Sequence, residues 1–336
     1  MTQFDWYLPV IWTGVIATAV AMYVILDGFD LGLGVLFLTT RNEKYRDAMT
    51  ASVAPFWDGN ETWLVLGGGG LLAAFPLAYS IIMPALYIPV ILMLLALILR
   101  GVAFEFRLTA KPKWLWDLAF SGGSIVAAFA QGLILGGLLQ GVTVNNDEFS
   151  GGPFDWLSLF SLMSGFGLIA GYGLLGACWL ILKTGGDVQR HARRLAPLFL
   201  VAVALFIALV SIWTPIRYVH IGARWFATPN IYFLWPLPLA TAALIILVWL
   251  WIARGEEVKP FVGVIGIFLL CFLGLAISSY PYLVPPSVDL WQAAAAPASL
   301  KIMLIGVAIM LPLILGYTAF VYWTFRGKLR EGESYH

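Results

Sequence analysis

Four acidic residues lie inside or at the edge of apolar segments, where a carboxylate is unusual. Asp27 and Asp30 stand three residues apart in the run DGFDLG, and Asp58 and Glu61 repeat this spacing in WDGNETWL. Residues three apart share one face of a helix, so each pair presents two carboxylates to the same neighbour. An aspartate near the centre of a membrane helix costs roughly 2.5–3.5 kcal/mol and is usually paired, neutralised or hydrated. The chemistry that these residues suggest is proton transfer.

A third apolar segment adds Arg100 and Glu105. At the helical rise per residue, Asp27 lies about 28 Å along its helix from an outer end near residue 8. Arg100 lies a similar distance from the start of its own segment near residue 81. We therefore expect the acids of the first two segments and Arg100 at one level of the membrane, toward its cytoplasmic side. Glu105 should lie about one turn further toward the cytoplasm.

Two interpretations of these charges are open. One is a hydrated proton path from the cytoplasm, in which carboxylates are relay stations and Arg100 holds some of them ionised. The other is a set of interfacial side chains and a structural ion pair. Both interpretations stand for Glu105 and Arg107, which are near a helix end. For the three aspartates the functional interpretation is favoured, because aspartate is too short to reach far toward water.

The composition indicates the class of protein. Of 336 residues, 61% are hydrophobic and 11% are charged, whereas soluble domains carry about a quarter charged residues. The 15 tryptophans suit helix ends at a lipid headgroup interface. A net charge of +1 argues against a nucleic-acid partner. We therefore predict an all-α, polytopic membrane helix bundle that forms one transmembrane domain over residues 1–336.

Segments of about 20 apolar residues, the length that crosses a bilayer, predict about nine transmembrane helices. They lie near residues 8–38, 60–77, 81–106, 116–141, 157–183, 194–214, 230–253, 260–281 and 300–325.

The distribution of Lys and Arg predicts the orientation. Most of these residues follow spans one, three, five and seven or lie in the C-terminal tail: Arg41, Lys44, Arg46, Arg107, Lys111, Lys113, Lys183, Arg190, Arg193, Arg194, Arg254, Lys259, Arg326, Lys328 and Arg330. The opposite side holds Arg217, Arg224 and Lys301. Because cytoplasmic loops are rich in basic residues, the N-terminus is predicted outside and the C-terminus in the cytoplasm.

Residues for redox, metal or nucleophilic chemistry are scarce. The three histidines, His191, His220 and His336, fall outside the predicted spans, whereas haem in a membrane bundle needs ligands that project inward from its helices. Cys178 and Cys271 form no CxxC spacing, and no HExxH or phosphate-binding loop occurs. We expect no catalytic residue, bound cofactor or metal site in this chain. It either moves protons with a substrate as a stand-alone proton-coupled transporter, serves a partner that holds the cofactors, or is a structural scaffold.

Several motifs carry a resemblance to a known family. They are DGFDLG at 27–32, WDGNETWLVLGGGGLLAAFPLAY at 57–79, LILRGVAFEFR at 97–107, GLIAGYGLLGACWLILKT at 167–184, SSYPYLVPPS at 278–287 and GYTAFVYWTFRGKL at 316–329. With these motifs the chain resembles subunit II of the cytochrome bd quinol oxidases, and most the shorter, cyanide-insensitive branch. The resemblance runs from the first span to the last.

This resemblance implies a partner, subunit I, that binds two b-type haems and one d-type haem, oxidises ubiquinol and reduces oxygen to water. The chain itself would be a companion without haem in a bacterial cytoplasmic (inner) membrane, in contact with lipid. Some relatives hold a structural quinone in this subunit, and whether a small third subunit attaches is left open.

The resemblance also implies a cytoplasmic proton channel at the subunit boundary. The aspartate of the WDGN motif, Asp58, takes part in it, and Asp27, Asp30 and Arg100 match further family positions. Some members have Gln where this chain has Glu61, and Asp where it has Glu105. The expected proton pathway therefore comprises these six residues.

An absorption spectrum distinguishes these alternatives. The chain purified by itself should bind no stoichiometric haem, because its predicted spans contain no histidine. A complex with a second polypeptide, purified in mild detergent, should show reduced haem b and haem d bands. A colourless single chain that accumulates a solute in vesicles would instead support the transporter.

Overall fold

The structure, a computed structural model, describes residues 3–109 and 111–329. Arg330 and His336, used in the sequence arguments, lie outside these residues, as does the side chain of His220. The helices are α1 (Gln3–Phe37), α2 (Glu43–Val53), α3 (Trp57–Ala74), α4 (Pro76–Ala85), α5 (Tyr87–Thr109), α6 (Lys113–Leu139), α7 (Leu159–Lys183), α8 (Gly186–Arg217), α9 (Val219–Phe226), α10 (Asn230–Leu234), α11 (Pro236–Ala253), α12 (Val258–Ser279), α13 (Leu290–Ala293) and α14 (Pro297–Thr324).

The prediction of an all-α polytopic bundle is confirmed. Within the described residues, eight helical segments are long and apolar enough to cross a membrane: α1, α5, α6, α7, α8, α10 with α11, α12 and α14. The remaining predicted span, the second one at 60–77, corresponds to α3, which is 18 residues long and begins with WDGNET. These polar residues and the four consecutive glycines lower its hydropathy, so a ninth crossing stays a prediction. The orientation in the membrane and the single domain over 1–336 also stay predictions.

The predicted boundaries were wrong around the third span. The sequence pattern placed one helix over 81–106, but the structure has a break at Leu86, between α4 and α5. Helix α3 ends before Phe75, and Pro76 occupies the first turn of α4, where its missing N–H has no hydrogen bond to lose. Helix α8 was also predicted too short. It begins at Gly186, so His191 lies on a helix and not in a loop.

Two short hairpins and a small helix stand in the connections. Strand β1 (Val144–Asn145) pairs antiparallel with β2 (Glu148–Phe149), and β3 (Tyr282–Val284) with β4 (Val288–Asp289). Helix α2 lies between α1 and α3, where the sequence analysis expected a loop. Its first turn is capped by Asn42, whose side chain accepts a hydrogen bond from the Lys44 N–H.

Helix α1 is the centre of the bundle and packs against α3, α6 and α7. Its contact with α7 depends on small residues. A Cβ atom added at Gly32 would lie 1.9 Å from the Tyr172 carbonyl oxygen, and one added at Gly176 would lie 2.7 Å from the Gly32 carbonyl carbon. Small residues let membrane helices approach backbone to backbone, because the association depends on van der Waals contact.

Aromatic rings fill the space between the C-terminal half of α1 and its neighbours. Phe29 stacks on Trp179 with ring centroids 4.1 Å apart, and Phe56 stacks on Tyr322 at 4.5 Å. Phe261 contacts both Phe29 and Trp179 edge-on or tilted. This cluster joins α1, α7, α12 and α14 at one level of the bundle.

The segment after α14 is anchored to the bundle by charged groups. The Lys183 ammonium donates hydrogen bonds to the carbonyl oxygens of Phe325 and Gly327. Lys328 pairs with Glu257 at 2.7 Å, and this hydrogen bond lowers the pKa of the Glu257 carboxyl. Helix α14 itself is mostly exposed, so its end contacts hold it in place.

The α1–α7 contact predicts the effect of one added methyl group. Gly32→Ala should destabilise the protein by about 1–3 kcal/mol, because the methyl group meets the backbone of α7. The matched control is Gly14→Ala on the same helix, where nothing lies within 4 Å of the added Cβ. Thermal unfolding in detergent measures both. Equal melting temperatures for the two variants would contradict this account.

Candidate functional site

Arg100 joins three helices at a buried point. Its Nη1 donates to Asp27 Oδ1 on α1 at 2.6 Å, and its Nη2 donates to Glu61 Oε1 on α3. The side chains of Arg100 and Asp27 are 2% and 0% exposed, whereas that of Glu61 is 29% exposed. One guanidinium thus bridges a fully buried carboxylate and a carboxylate that still reaches the surface of this chain.

Asp30 lies beside this ion pair with different partners. Its Oδ2 accepts a hydrogen bond from Asn60 Nδ2 at 2.8 Å, and its Oδ1 has no hydrogen bond to the described residues. Asn60 also donates to the Leu26 carbonyl and accepts from the Tyr322 hydroxyl at 3.0 Å. Through Asn60, Asp30 is connected to both α3 and α14.

Asp58 occupies the first turn of α3, one turn before Glu61, and its side chain is exposed. It is close enough to Glu61 for an electrostatic interaction. The order from the surface inward is therefore Asp58, Glu61, and then the Arg100–Asp27 pair. The structure brings together the residues predicted to lie at one level.

Glu105 does not join this group. It is exposed on α5 and forms no ion pair with the described residues. Arg107, by contrast, is only 1% exposed and lies in ion pairs, which fits the interpretation as a structural ion pair and not a side chain that reaches water. Its Nε donates to Asp117 Oδ1 at 2.5 Å, and Arg46 Nη1 donates to Asp117 Oδ2 at 2.7 Å. Helix α6 turns back over the end of α5 and supplies the buried carboxylate.

The sequence analysis missed several polar residues near the charges. Asn60 lies within WDGNETW, and its position between two acids was the available signal. Three others form a chain in the apolar interior: the Tyr172 hydroxyl donates to Gln131 Oε1 at 2.6 Å, and Gln131 Nε2 donates to the Tyr23 hydroxyl at 2.8 Å. The three residues come from α7, α6 and α1, so no local sequence pattern predicts that they form hydrogen bonds with one another.

Residues suited to cofactors are not assembled in the described part of the chain. No group of three His, Cys, Asp or Glu residues there could hold a metal ion. His191 shares a hydrogen bond with Thr39 through Nε2 and lies beside the Tyr45 ring. Because its Nε2 is hydrogen-bonded to Thr39, this histidine does not fit an axial haem ligand.

Comparison with known proteins identifies the family. The family model described as cytochrome bd terminal oxidase subunit II matches residues 8–325. The chain belongs to this family. It is 30% identical to the cytochrome bd-I ubiquinol oxidase subunit 2 of Escherichia coli K12, over 97% of this chain and 96% of that protein. It is also 30% identical to the cytochrome bd ubiquinol oxidase subunit 2 of Bacillus subtilis 168, over 96% and 97%.

A solved structure shares the fold. The bd oxidase from Geobacillus thermodenitrificans superposes with a TM-score of 0.72 at 16% identity, over 94% of this chain and 98% of that one. This likeness shows the fold, whereas the family match makes the chain subunit II of a cytochrome bd quinol oxidase, an integral membrane protein whose complex contains subunit I and haems. The stand-alone transporter is not favoured.

The buried ion pair gives a prediction about stability. Arg100→Met should destabilise the chain by roughly 3–5 kcal/mol, because the buried Asp27 carboxylate loses its counter-ion. Adding Asp27→Leu should recover much of this loss, since the unpaired charge is then removed. The measurement is the melting temperature of the purified complex. A double variant no more stable than Arg100→Met would show that the pair does not account for the loss.

Proposed function

We propose that this subunit takes up protons from the cytoplasm and conducts them toward the oxygen-reducing site of subunit I. The path would run from Asp58 through Glu61 to the Arg100–Asp27 pair and Asp30. Glu105, exposed near the same end of the bundle, would be a further proton-collecting carboxylate. A purely structural subunit would not need these buried and partly buried charges, whereas a proton path would.

One observation carries the proposal: a row of carboxylates leads from an exposed to a fully buried position. Asp58 is exposed, Glu61 is partly exposed, and Asp27 is buried. A membrane interior excludes isolated charges, so ionisable residues there commonly mark proton relays. Arg100 would keep part of the row ionised.

The surface of α3 supports a position for subunit I. Asp58 shares the exposed side of this helix with Val65, Gly68, Gly69 and Leu72. A Cβ atom at either glycine would meet nothing within 4 Å, so another helix could approach closely there. In the assembled oxidase, a subunit I helix on this face would shield the Asp58 carboxylate from lipid and receive protons beside it.

The proposal also covers the membrane, the orientation of the chain and the partners of the complex. The chain would lie in a bacterial inner membrane with its N-terminus outside and its C-terminus in the cytoplasm, as the basic residues indicate. Haem b and haem d would be bound by subunit I, where ubiquinol is oxidised and O2 is reduced. Because quinol oxidation would release protons outside while uptake occurs inside, the reaction would separate charge. Lipid contacts, a small accessory subunit and a structural quinone complete the partners expected from the family.

Substitution of Asp58 tests the path. Asp58→Asn should slow proton uptake during oxygen reduction by roughly tenfold or more, because the first proton-accepting carboxylate is lost. Asp58→Glu should retain most of the rate. Uptake is measured with a pH-indicator dye in the purified complex after mixing with oxygen.

The control is Asp187→Asn, which removes an exposed acid that pairs with Arg190 away from the path. It should leave the rate unchanged. If Asp58→Asn assembles normally and takes up protons at the native rate, Asp58 does not belong to the path.

A further inference from the structure

The two aspartates of α1 have unequal surroundings. Asp27 is in contact with a cation, because Arg100 Nη1 lies 2.6 Å from its Oδ1. Asp30, one turn further, is 2% exposed, and its hydrogen bond comes from the neutral amide of Asn60. The second oxygen of each aspartate has no hydrogen bond to the described residues, so the difference lies in the partner of the bonded oxygen. An ionised carboxylate is stabilised by the first environment much more than by the second.

A chain of tyrosine and glutamine side chains leads to Asp27. Tyr172 donates to the Gln131 carbonyl, and the Gln131 amide donates to the Tyr23 hydroxyl oxygen. Tyr23 stands one turn before Asp27 on α1, and the two side chains interact electrostatically. The chain therefore ends beside Asp27 and not beside Asp30.

The charges around Asp30 also favour a neutral carboxyl group at this position. Ionisable groups that interact with it include Asp27 on its own helix, Glu61 on α3, Arg100 on α5 and Tyr322 on α14. The single cation among them is already bonded to two carboxylates. A third buried negative charge would have no counter-ion, so a neutral acid is the form that costs least there.

We propose that these aspartates have different roles: Asp27 is a permanent anion, positioned by Arg100, and Asp30 carries the transferable proton. The assignment rests on the proposed proton path and deepens it. In the transfer, an Asp30 carboxylate oxygen forms an O–H bond with a proton whose O–H bond to the preceding carrier, the Glu61 carboxyl group, breaks. Asp30 later releases this proton to an acceptor oxygen on the side of subunit I, and no electron is transferred. Asn60 would orient the Asp30 carboxyl group and connect it to α14 through Tyr322.

Infrared spectroscopy of the assembled oxidase tests the assignment. The carbonyl stretch of a protonated carboxyl group should be present in the native complex and shift in deuterated water. Asp30→Asn should abolish one such band. Survival of every band in this variant, with the complex assembled and its haem spectrum intact, would overturn the proposal.

A second pair of variants decides the matter even if Asp30→Asn fails to assemble. Asn60→Leu removes the hydrogen bond to Asp30 and should shift the carboxyl band to higher frequency. Gln131→Leu, the matched control, disturbs only the chain that leads to Asp27 and should leave the band in place. A band that moves with Gln131→Leu and not with Asn60→Leu would assign the proton to Asp27, and a band unmoved by both would also overturn the proposal.

This readout does not depend on turnover. If the infrared result holds while Asp58→Asn leaves uptake unchanged, the role of Asp30 stands and the proposed surface connection fails. If proton uptake depends on Asp58 but the carboxyl band does not arise from Asp30, the proposed path stands. The proposal that Asp27 and Asp30 have different roles then fails.

Discussion

The cost of removing the Arg100 guanidinium from water constrains the whole bundle. An arginine that is 2% exposed requires counter-ions in contact, and these come from two other helices, through Asp27 and Glu61. Helices α1, α3 and α5 must therefore meet at one point with little freedom in rotation or register. A rotation of α1 by one residue would carry Asp27 away from Arg100 and bury it unpaired. The same ion pair that restricts the fold supplies the charged groups of the proposed path.

Closely packed helices and aromatic rings surround this point. Gly32 brings α1 against the backbone of α7, and the stacked rings of Phe29 and Trp179 close the space next to the acids. Polar groups in this region are mainly neutral donors, such as Asn60 and Gln131. Neutral donors can hold a carboxyl group in place without fixing its charge, which a second arginine beside Asp30 would do. The interior is therefore apolar in bulk but supplies hydrogen bonds where acids lie.

A second buried charge group has a different character. Arg107, Arg46 and Asp117 form paired contacts between α2, α5 and α6, and Arg107 and Arg46 also lie over the Phe37 ring. Here each carboxylate oxygen of Asp117 faces its own guanidinium, and Asp47 pairs with Arg107 as well, so two acids face two cations. This arrangement suits a structural junction between helix ends, whereas the group around Arg100 has more acids than cations. The two groups therefore differ in their ratio of acidic to basic residues, which distinguishes the structural junction around Asp117 from the candidate path around Arg100.

The sequence by itself determined the class of protein and the residues that carry its chemistry. A shortage of charge and long apolar runs leave a helical membrane bundle as the stable arrangement, and acids within those runs, such as Asp27, are too costly to be incidental. The distance of each residue from the outer end of its helix also predicted that Arg100 lies at the same level of the membrane as these acids. Only the tertiary structure decided which atoms meet. Asn60 beside Asp30, and Gln131 between two tyrosines, arise from helix rotation and packing between segments distant in sequence. Hydropathy and spacing describe one helix at a time, whereas the burial of Arg107 depends on which carboxylate a neighbouring helix presents.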